Sequence, residues 1–301
     1  MIVILTALQV EHQAVLEHMT GTEVHRHAAG TLFDVGSLGC RPHRRVALGV
    51  TGPGALTAAA LTERAFTEFS PSAMLFVGVA GGLRDWLEIG DVVVATKVYA
   101  YHGGRSEDDE FLARPRAWEA SHALEQVARR LPRDDAWRFV GGESMVPHDE
   151  TSDNVPSVHF EPVAAGDVLL NSKVSPLAQQ IRGGYNDAIA IEMESSGFAL
   201  AGHLSGKVPM LTVRGVSDMA DGTKAATDRE GGQRVAARNA AAFAVALAAA
   251  LEEETGRQEE RSSSVPSSIR TINKASGNAR VGQQVGINLG GISTSQLGEH
   301  R

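Results

Sequence analysis

One cysteine, Cys40, is all the thiol this 301-residue chain carries. That excludes an intrachain disulfide framework and a zinc site built from several cysteines. Aromatic residues make up only 5% of the chain, so aliphatic side chains and close helix packing must fill the core. Basic charge is in deficit: 28 Lys and Arg against 36 Asp and Glu leave a net charge of -8. A nucleic-acid surface needs the opposite balance, so no nucleic-acid partner is expected. Long apolar runs are missing too. The opening "MIVILTALQVEHQAV" has an apolar run of five residues and no basic segment before it. It reads as a first β-strand rather than a signal peptide. The run "AAAFAVALAAAL" is too short for a membrane span and is flanked by charge. The expected setting is the cytoplasm, away from membranes.

What the chain does have is glycine, alanine and a rhythm of short apolar runs. "IVILTAL" (2–8), "RVALGV" (45–50), "AMLFVGVAGGL" (73–83), "GDVVVATKVYAY" (90–101), "PVAAGDVLL" (162–170), "AIAIEME" (188–194) and "VPMLTVRGVSD" (208–218) read as strands. Continuous apolar runs belong to strands buried on both faces, hence to a mainly parallel or mixed sheet covered by helices. Between them, "TGPGALTAAALTERAFTEF" predicts a helix whose apolar positions are Leu56, Ala60, Leu61, Ala65 and Phe69. Residues 234–251 predict a last, Ala-rich helix. The polar segment 103–160 breaks the rhythm and reads as part helix and part loop. Within 117–131, Leu124, Val127, Ala128 and Leu131 share one helical face. Residues 1–251 are therefore expected to form one domain.

The composition changes after Leu251. "EEETGRQEERSSSVPSS" reads as a flexible linker, and 252–301 as a tail. Val285, Ile287 and Leu289 alternate there in the manner of a short strand that pairs with a partner protein.

Four features fall at strand ends, where ligands bind in open α/β sheets. Glu11, in "LTALQVEH", follows the first strand; a carboxylate there also suits a helix start. Glycines in "GVTGPGALTAAA" and "FVGVAGGL" let backbone N–H groups approach a ligand or let elements pack tightly. Neither turn matches a dinucleotide fingerprint or a phosphate-binding lysine loop. Glu192 and Glu194 stand around Met193 inside an apolar run, where a carboxylate needs a partner. They suit either a structural ion pair or the vicinal hydroxyls of a ribose. "VRGVSDMAD" sets Arg214, Ser217 and Asp218 after an apolar strand. A desolvated Asp can act as a general acid, and Ser-Asp is equally a common helix cap.

In order and spacing, "ALQVEH", "TGPG", "GVAGGL" with "IGDVVVA", "AAGDVLL", "IEMES" and "VRGVSDMAD" resemble the nucleoside phosphorylase superfamily. Within it they are most similar to the 5′-methylthioadenosine/S-adenosylhomocysteine nucleosidases. The resemblance spans about residues 1–251. It implies a three-layer α/β/α sandwich with a twisted, mixed, partly barrel-like central sheet. It also implies a site that cleaves the bond between purine and ribose without metal or cofactor. By position, Asp218 matches the acid that protonates the base and Ser217 the residue that supports it. Glu11 matches the carboxylate that activates water, and Arg214 the arginine that helps to position it. Met193 and Glu194 match ribose contacts, Leu169 and Leu170 the wall and backbone edge of the base pocket. Glu192, Val79 and Gly52 take supporting places. A homo-oligomer is implied as well.

Three departures stand out. Val79 replaces a serine usual in the "GSAGG" turn, and Leu169 replaces a phenylalanine. The 103–160 excursion is long and carries Arg105, Arg114 and Arg116, which suit the phosphates of a nucleotide. The reading favoured by the residues is a purine nucleosidase acting on an adenosine-type nucleoside. Three others remain: an AMP or ATP N-glycosidase effector recruited through its tail, a phosphate-dependent phosphorylase, and a nucleoside-binding module without catalysis.

Overall fold

The computed structural model describes residues 1–109, 111–133, 136–139, 155–206 and 208–251. Met1–Glu253 forms one compact unit. The linker and the candidate strand at 285–289 lie outside the described residues. In chain order the elements are β1 (Ile2–Thr6), α1 (Gln9–Leu16), β2 (Met19–Arg26), β3 (Leu32–Leu38), β4 (Arg41–Val50), α2 (Ala55–Phe69), β5 (Ala73–Gly82), β6 (Val92–Ala100), β7 (Gly104–Ser106), β8 (Phe111–Ala113), β9 (Arg116–Glu119), α3 (His122–Ala128), β10 (Val158–Ala165), α4 (Pro176–Gly184), β11 (Ala190–Glu192), α5 (Ser195–Ser205), β12 (Met210–Asp218), α6 (Lys224–Arg229) and α7 (Gly232–Ala250).

The sheet is mixed and runs β11-β10-β6-β12-β5-β1-β4-β3-β2. A further antiparallel pairing, Ala190 with Gly82 and Ile191 with Gly81, joins β11 back to β5. Five strands, β5, β12, β6, β10 and β11, thereby close into a small barrel, and the rest opens as a sheet. Strand periodicity explains the layers. Ile2 and Ile4 of β1 face a core shared with α1 and α7, while Val3 and Leu5 face one shared with α2 and α5. The result is the expected three-layer arrangement around a partly barrel-like sheet.

The alanines explain how closely the layers approach. α7 is buried on nearly every side, as a helix apolar all round must be. A Cβ at Gly215 of β12 would strike the Ala236 carbonyl of α7. Trp137 stacks edge-on against Phe243 with ring centroids 5.6 Å apart, closing the outer side. No helix of the described residues is long and apolar enough to cross a membrane.

Several expectations need correction. On α2 the buried positions are Ala58, Thr62 and Ala65; Leu56 is 84% exposed and Ala60 is also exposed. Small residues face α5 because the two helices pack closely, and this leaves the larger Leu56 outward. The 103–160 excursion holds three short strands besides α3, and its α3 is shorter than the 117–131 pattern suggests. Leu124, Val127 and Ala128 are nevertheless its buried face. The hairpin β2–β3 was not foreseen, because β2 is a polar, mostly exposed edge strand without an apolar run.

Candidate active site

The C-terminal ends of β1, β5, β10, β11 and β12 converge around a cavity of about 200 Å³. Its wall includes Leu8, Glu11, Val79, Leu169, Leu170, Met193, Glu194, Ser217, Asp218, Lys224 and Gln233. A larger groove of about 760 Å³ lies between β9 and α5 and includes Arg116 and His203. It contains neither Glu11 nor Asp218, so the smaller cavity is the candidate site.

Glu11 is placed by the first turn of α1 and is buried. Its Oε2 accepts from the N–H groups of Ala7 and Leu8, both at 2.8 Å, and Oε1 accepts from the Val79 N–H at 2.9 Å. Burial raises its pKa above the ordinary carboxylate value, against the opposing effects of Arg214 and these N–H donors. A carboxylate poised upward in this way suits a general base. At Gly78 a Cβ would come within 2.6 Å of Glu11 Oε1 and would also strike Arg214 Nη1. Glu11 and Arg214 thus converge over the one position in this stretch of β5 that must have no side chain.

The Glu-Met-Glu segment resolves into three roles. β11 ends at Glu192, so Met193 and Glu194 lie on the turn into α5 instead of in the strand. Glu192 accepts from the Glu194 and Ser195 N–H groups at 3.0–3.1 Å and from Ser195 Oγ at 3.1 Å. It also pairs with Arg214 Nη2. A carboxylate at a helix N-terminus is well placed, and here it also locks the arginine. Arg214 is 0% exposed, and its guanidinium lies 4.8 Å from the Phe76 ring centroid. It donates to Ser195 Oγ at 2.9 Å and stands 3.6 Å from Glu194 Oε2. Its Nε and Nη1 make no hydrogen bond among the described residues. Arg214 therefore stands behind the cavity wall with a donor to spare beside Glu11. Glu194 Oε1 accepts from the Gly54 N–H at 3.1 Å. Burial, with the charges of Glu192 and Glu11 adding and Arg214 opposing, pushes its pKa up to about 7. Gly52, at φ +74°, sets the turn that leads to this Gly54 contact but does not line the cavity.

Asp218 ends β12 and is buried. Oδ1 accepts from the Ala220 N–H at 3.0 Å; Oδ2 accepts from Ser217 Oγ at 2.9 Å and from Lys224 Nζ at 2.7 Å. The apolar isolation anticipated for this acid is replaced by an ion pair. Lys224 was not anticipated. The signal was local, a lysine six residues after Asp218 that also meets Asp228 one turn on, at 3.6 Å. Leu170 is buried in the wall, whereas Leu169 is 58% exposed at the mouth. Of the three arginines, none lines the cavity: Arg105 is exposed and paired with Glu107 at 2.7 Å, Arg114 follows the β7–β8 hairpin, and Arg116 lines the larger groove. Among the described residues no cluster of three or more His, Cys, Asp and Glu side chains is arranged to hold a metal.

Comparison with known proteins bears on the family and the fold. Residues 1–252 match the model of the phosphorylase superfamily. A 5′-methylthioadenosine/S-adenosylhomocysteine nucleosidase of Maridesulfovibrio salexigens is 28% identical over 179 residues, covering 58% of this chain and 68% of that protein. The ATP nucleosidase Cap17 of Escherichia coli is 28% identical over 184 residues, 57% of this chain but only 35% of Cap17. Among solved structures, futalosine hydrolase of Helicobacter pylori superposes with a TM-score of 0.68 at 22% identity, covering 83% of this chain and 97% of that one. The 5′-methylthioadenosine/S-adenosylhomocysteine nucleosidase of Neisseria meningitidis, bound to methylthio-immucillin-A, gives 0.65 at 22% identity, covering 82% and 97%.

Proposed function

The chain belongs to the phosphorylase superfamily, and from that premise we propose that it is a purine nucleosidase, an N-glycosyl hydrolase. Its substrate is an adenosine-type nucleoside, cleaved by water to the free base and a ribose derivative. The observation that carries this reading is that Glu11 and Asp218 line one cavity with Met193 and Glu194. Glu11 packs at Gly78 and Asp218 at Gly81 of the same strand. A ribose with its base fits between a carboxylate of that kind at each end.

The roles follow from the local chemistry. Cleavage passes through an oxocarbenium-like state, with positive charge on the sugar. Glu11 takes a proton from water, and Arg214 acts on it from behind the cavity wall through its charge. Glu194 accepts from the ribose hydroxyls, and Met193 packs on the sugar. The purine departs at the Asp218 end against Leu170, with Leu169 at the mouth. A buried carboxylate at the nucleophile end disfavours an anion such as phosphate, and Val79 brings no hydroxyl to hold one. This favours hydrolysis over phosphorolysis.

A second reading changes the substrate to AMP or ATP, and the similarity to the ATP nucleosidase Cap17 favours it. Arg105, Arg114 and Arg116 would then meet phosphates, and the tail would recruit the domain to a protein partner. A homo-oligomer belongs to either reading: Leu56, Val168 and Leu169 are exposed near the cavity mouth, where Asp167 accepts from the Ala55 N–H at 3.0 Å. The test is base release from a panel of nucleosides and nucleotides, with and without phosphate. Free base and free ribose derivative are expected. A ribose 1-phosphate product that depends on added phosphate would overturn hydrolysis, and no base release from any member would leave only a binding module.

A further inference from the structure

We propose that Asp228 is a positioning residue, a second seat for the Lys224 ammonium, which the entry of the purine shifts there from Asp218. Asp218 is thereby released to act as the acid. This rests on the nucleosidase reading and deepens it.

Two demands on Asp218 conflict. In the nucleosidase reading it gives a proton to the departing base. In the structure it only accepts. Oδ2 accepts from Ser217 Oγ at 2.9 Å and from Lys224 Nζ at 2.7 Å, and Oδ1 accepts from the Ala220 N–H at 3.0 Å. An ammonium at that distance favours the carboxylate over the carboxylic acid and stays charged itself. The lysine must therefore leave before Asp218 can carry a proton. The structure holds a place for it. Lys224 Nζ stands 3.6 Å from Asp228 Oδ1, one turn on along α6. That oxygen is buried and accepts no hydrogen bond among the described residues. A buried carboxylate oxygen without a donor is costly, so an ammonium that reaches it is stabilised there. The seat is also held close to the acid. At Gly232 a Cβ would strike both Thr227 and the Ser217 carbonyl, so the start of α7 folds directly over α6 and the end of β12. Lys224 lines the cavity, where a purine with N7 toward Asp218 needs the space that the ammonium takes. The shift needs only a side-chain rotation, because both seats lie within reach of one Nζ. The step balances. Asp218, left by the lysine, takes one proton from solvent. As the C1′–N9 bond breaks, its electron pair passes to the purine and the Asp218 proton passes to N7. The base leaves neutral, and Asp218, a carboxylate again, takes Lys224 back. Glu11 meanwhile takes the proton of the attacking water.

Asp228→Asn and Lys224→Met, singly and together, separate this from a structural role. Each variant is assayed on the nucleoside that the wild-type protein cleaves fastest. Each is also assayed on an N7-methylated purine nucleoside and on 4-nitrophenyl riboside, whose leaving groups need no proton. Asp228→Asn is expected to lower kcat on the unmodified nucleoside by about 3- to 100-fold, the usual range of coupling between groups in contact. On the activated substrates it should stay close to the wild-type rate, which also shows that it is folded. In the Lys224→Met background the same change should cost nothing further, because no ammonium has to be seated. Full activity of Asp228→Asn on the unmodified nucleoside overturns the inference. An equal loss with and without Lys224, or on all substrates, overturns it in favour of a structural role in α6. Lys224→Met that cleaves the activated substrates but not the unmodified nucleoside also overturns it, because the lysine would then be needed on Asp218. Where circular dichroism shows Lys224→Met unfolded, Lys224→Gln takes its place. If the wild-type protein releases no base from any nucleoside or nucleotide, the nucleosidase reading itself fails, a result distinct from all of these.

Discussion

The two ends of the cavity hold their carboxylates by different means. Glu11 is held by three backbone N–H groups, from Ala7, Leu8 and Val79. Asp218 is held by one backbone N–H and by two side chains, Ser217 and Lys224. Backbone amides are fixed by the fold, so they position a group and change nothing during the reaction. Side chains can also change partners. In the proposed reaction the rigid end suits the group that receives a proton from water. The end whose partners can change suits the acid that meets the departing base.

The sharpest way to break the comparison is to neutralise each carboxylate. Glu11→Gln and Asp218→Asn should each reduce base release by about 10²–10⁴, with circular dichroism unchanged. On a substrate whose leaving group needs no proton, Asp218→Asn should recover and Glu11→Gln should not. Recovery of both would erase the distinction between the ends.

Gly78→Ala comes next. Its Cβ would displace Glu11 and Arg214 together, and misplacing reacting groups by about 1 Å costs about 10²-fold in rate. The loss should appear at the Glu11 end, so the activated substrate should not rescue it. Steady-state kinetics on both substrate types decide this.

A third prediction concerns pH. Glu11 and Glu194 both have raised pKa values, Glu194 to about 7. The base works only when ionised, so kcat/KM should fall as pH drops through a range above that of ordinary carboxylates. Stability runs the other way. A carboxyl whose folded pKa is raised holds its proton longer in the native than in the unfolded state. Its stabilising contribution is complete below its unfolded value and is lost as pH rises through about 7. The Tm should therefore decline between about pH 5 and about pH 8. Glu194→Gln should flatten that decline while impairing ribose binding. A Tm of Glu194→Gln that falls as steeply as the wild type would count against the raised pKa. Activity and stability thus prefer opposite protonation of the same cluster.

The smallest effect is expected from replacing Arg105, Arg114 and Arg116 by Ala. None lines the cavity, so nucleoside cleavage should be unchanged. Weakened cleavage confined to nucleotides would support the second reading. Unchanged nucleotide cleavage would remove these arginines from it.

Much of the molecule is legible in the sequence. The buried strands are, because they are continuous apolar runs at the spacing of parallel sheets. The places of Glu11 and Asp218 at strand ends are, because each stands at the end of such a run and a buried carboxylate needs a partner. The outward face of α2 was misread because Leu56 is more apolar than Ala58, and helical periodicity alone does not say how close the neighbouring helix comes. The β2–β3 hairpin escaped notice because an exposed edge strand buries too little to show an apolar pattern.

By itself the sequence determined the order of strands and helices, the scarcity of charge in their cores, and which acidic residues stand at strand ends. These are local properties, set by periodicity and by the cost of burying a charge. Only the tertiary structure decided what each acid meets. Glu192 finds Arg214 across 22 residues, and Glu11 finds the Val79 N–H across 68. Sheet register sets such pairings, and no local pattern encodes them. The same holds for Lys224. Its place on Asp218 depends on how α6 turns back from the end of β12, and that turn separates a solvated lysine from one inside the site.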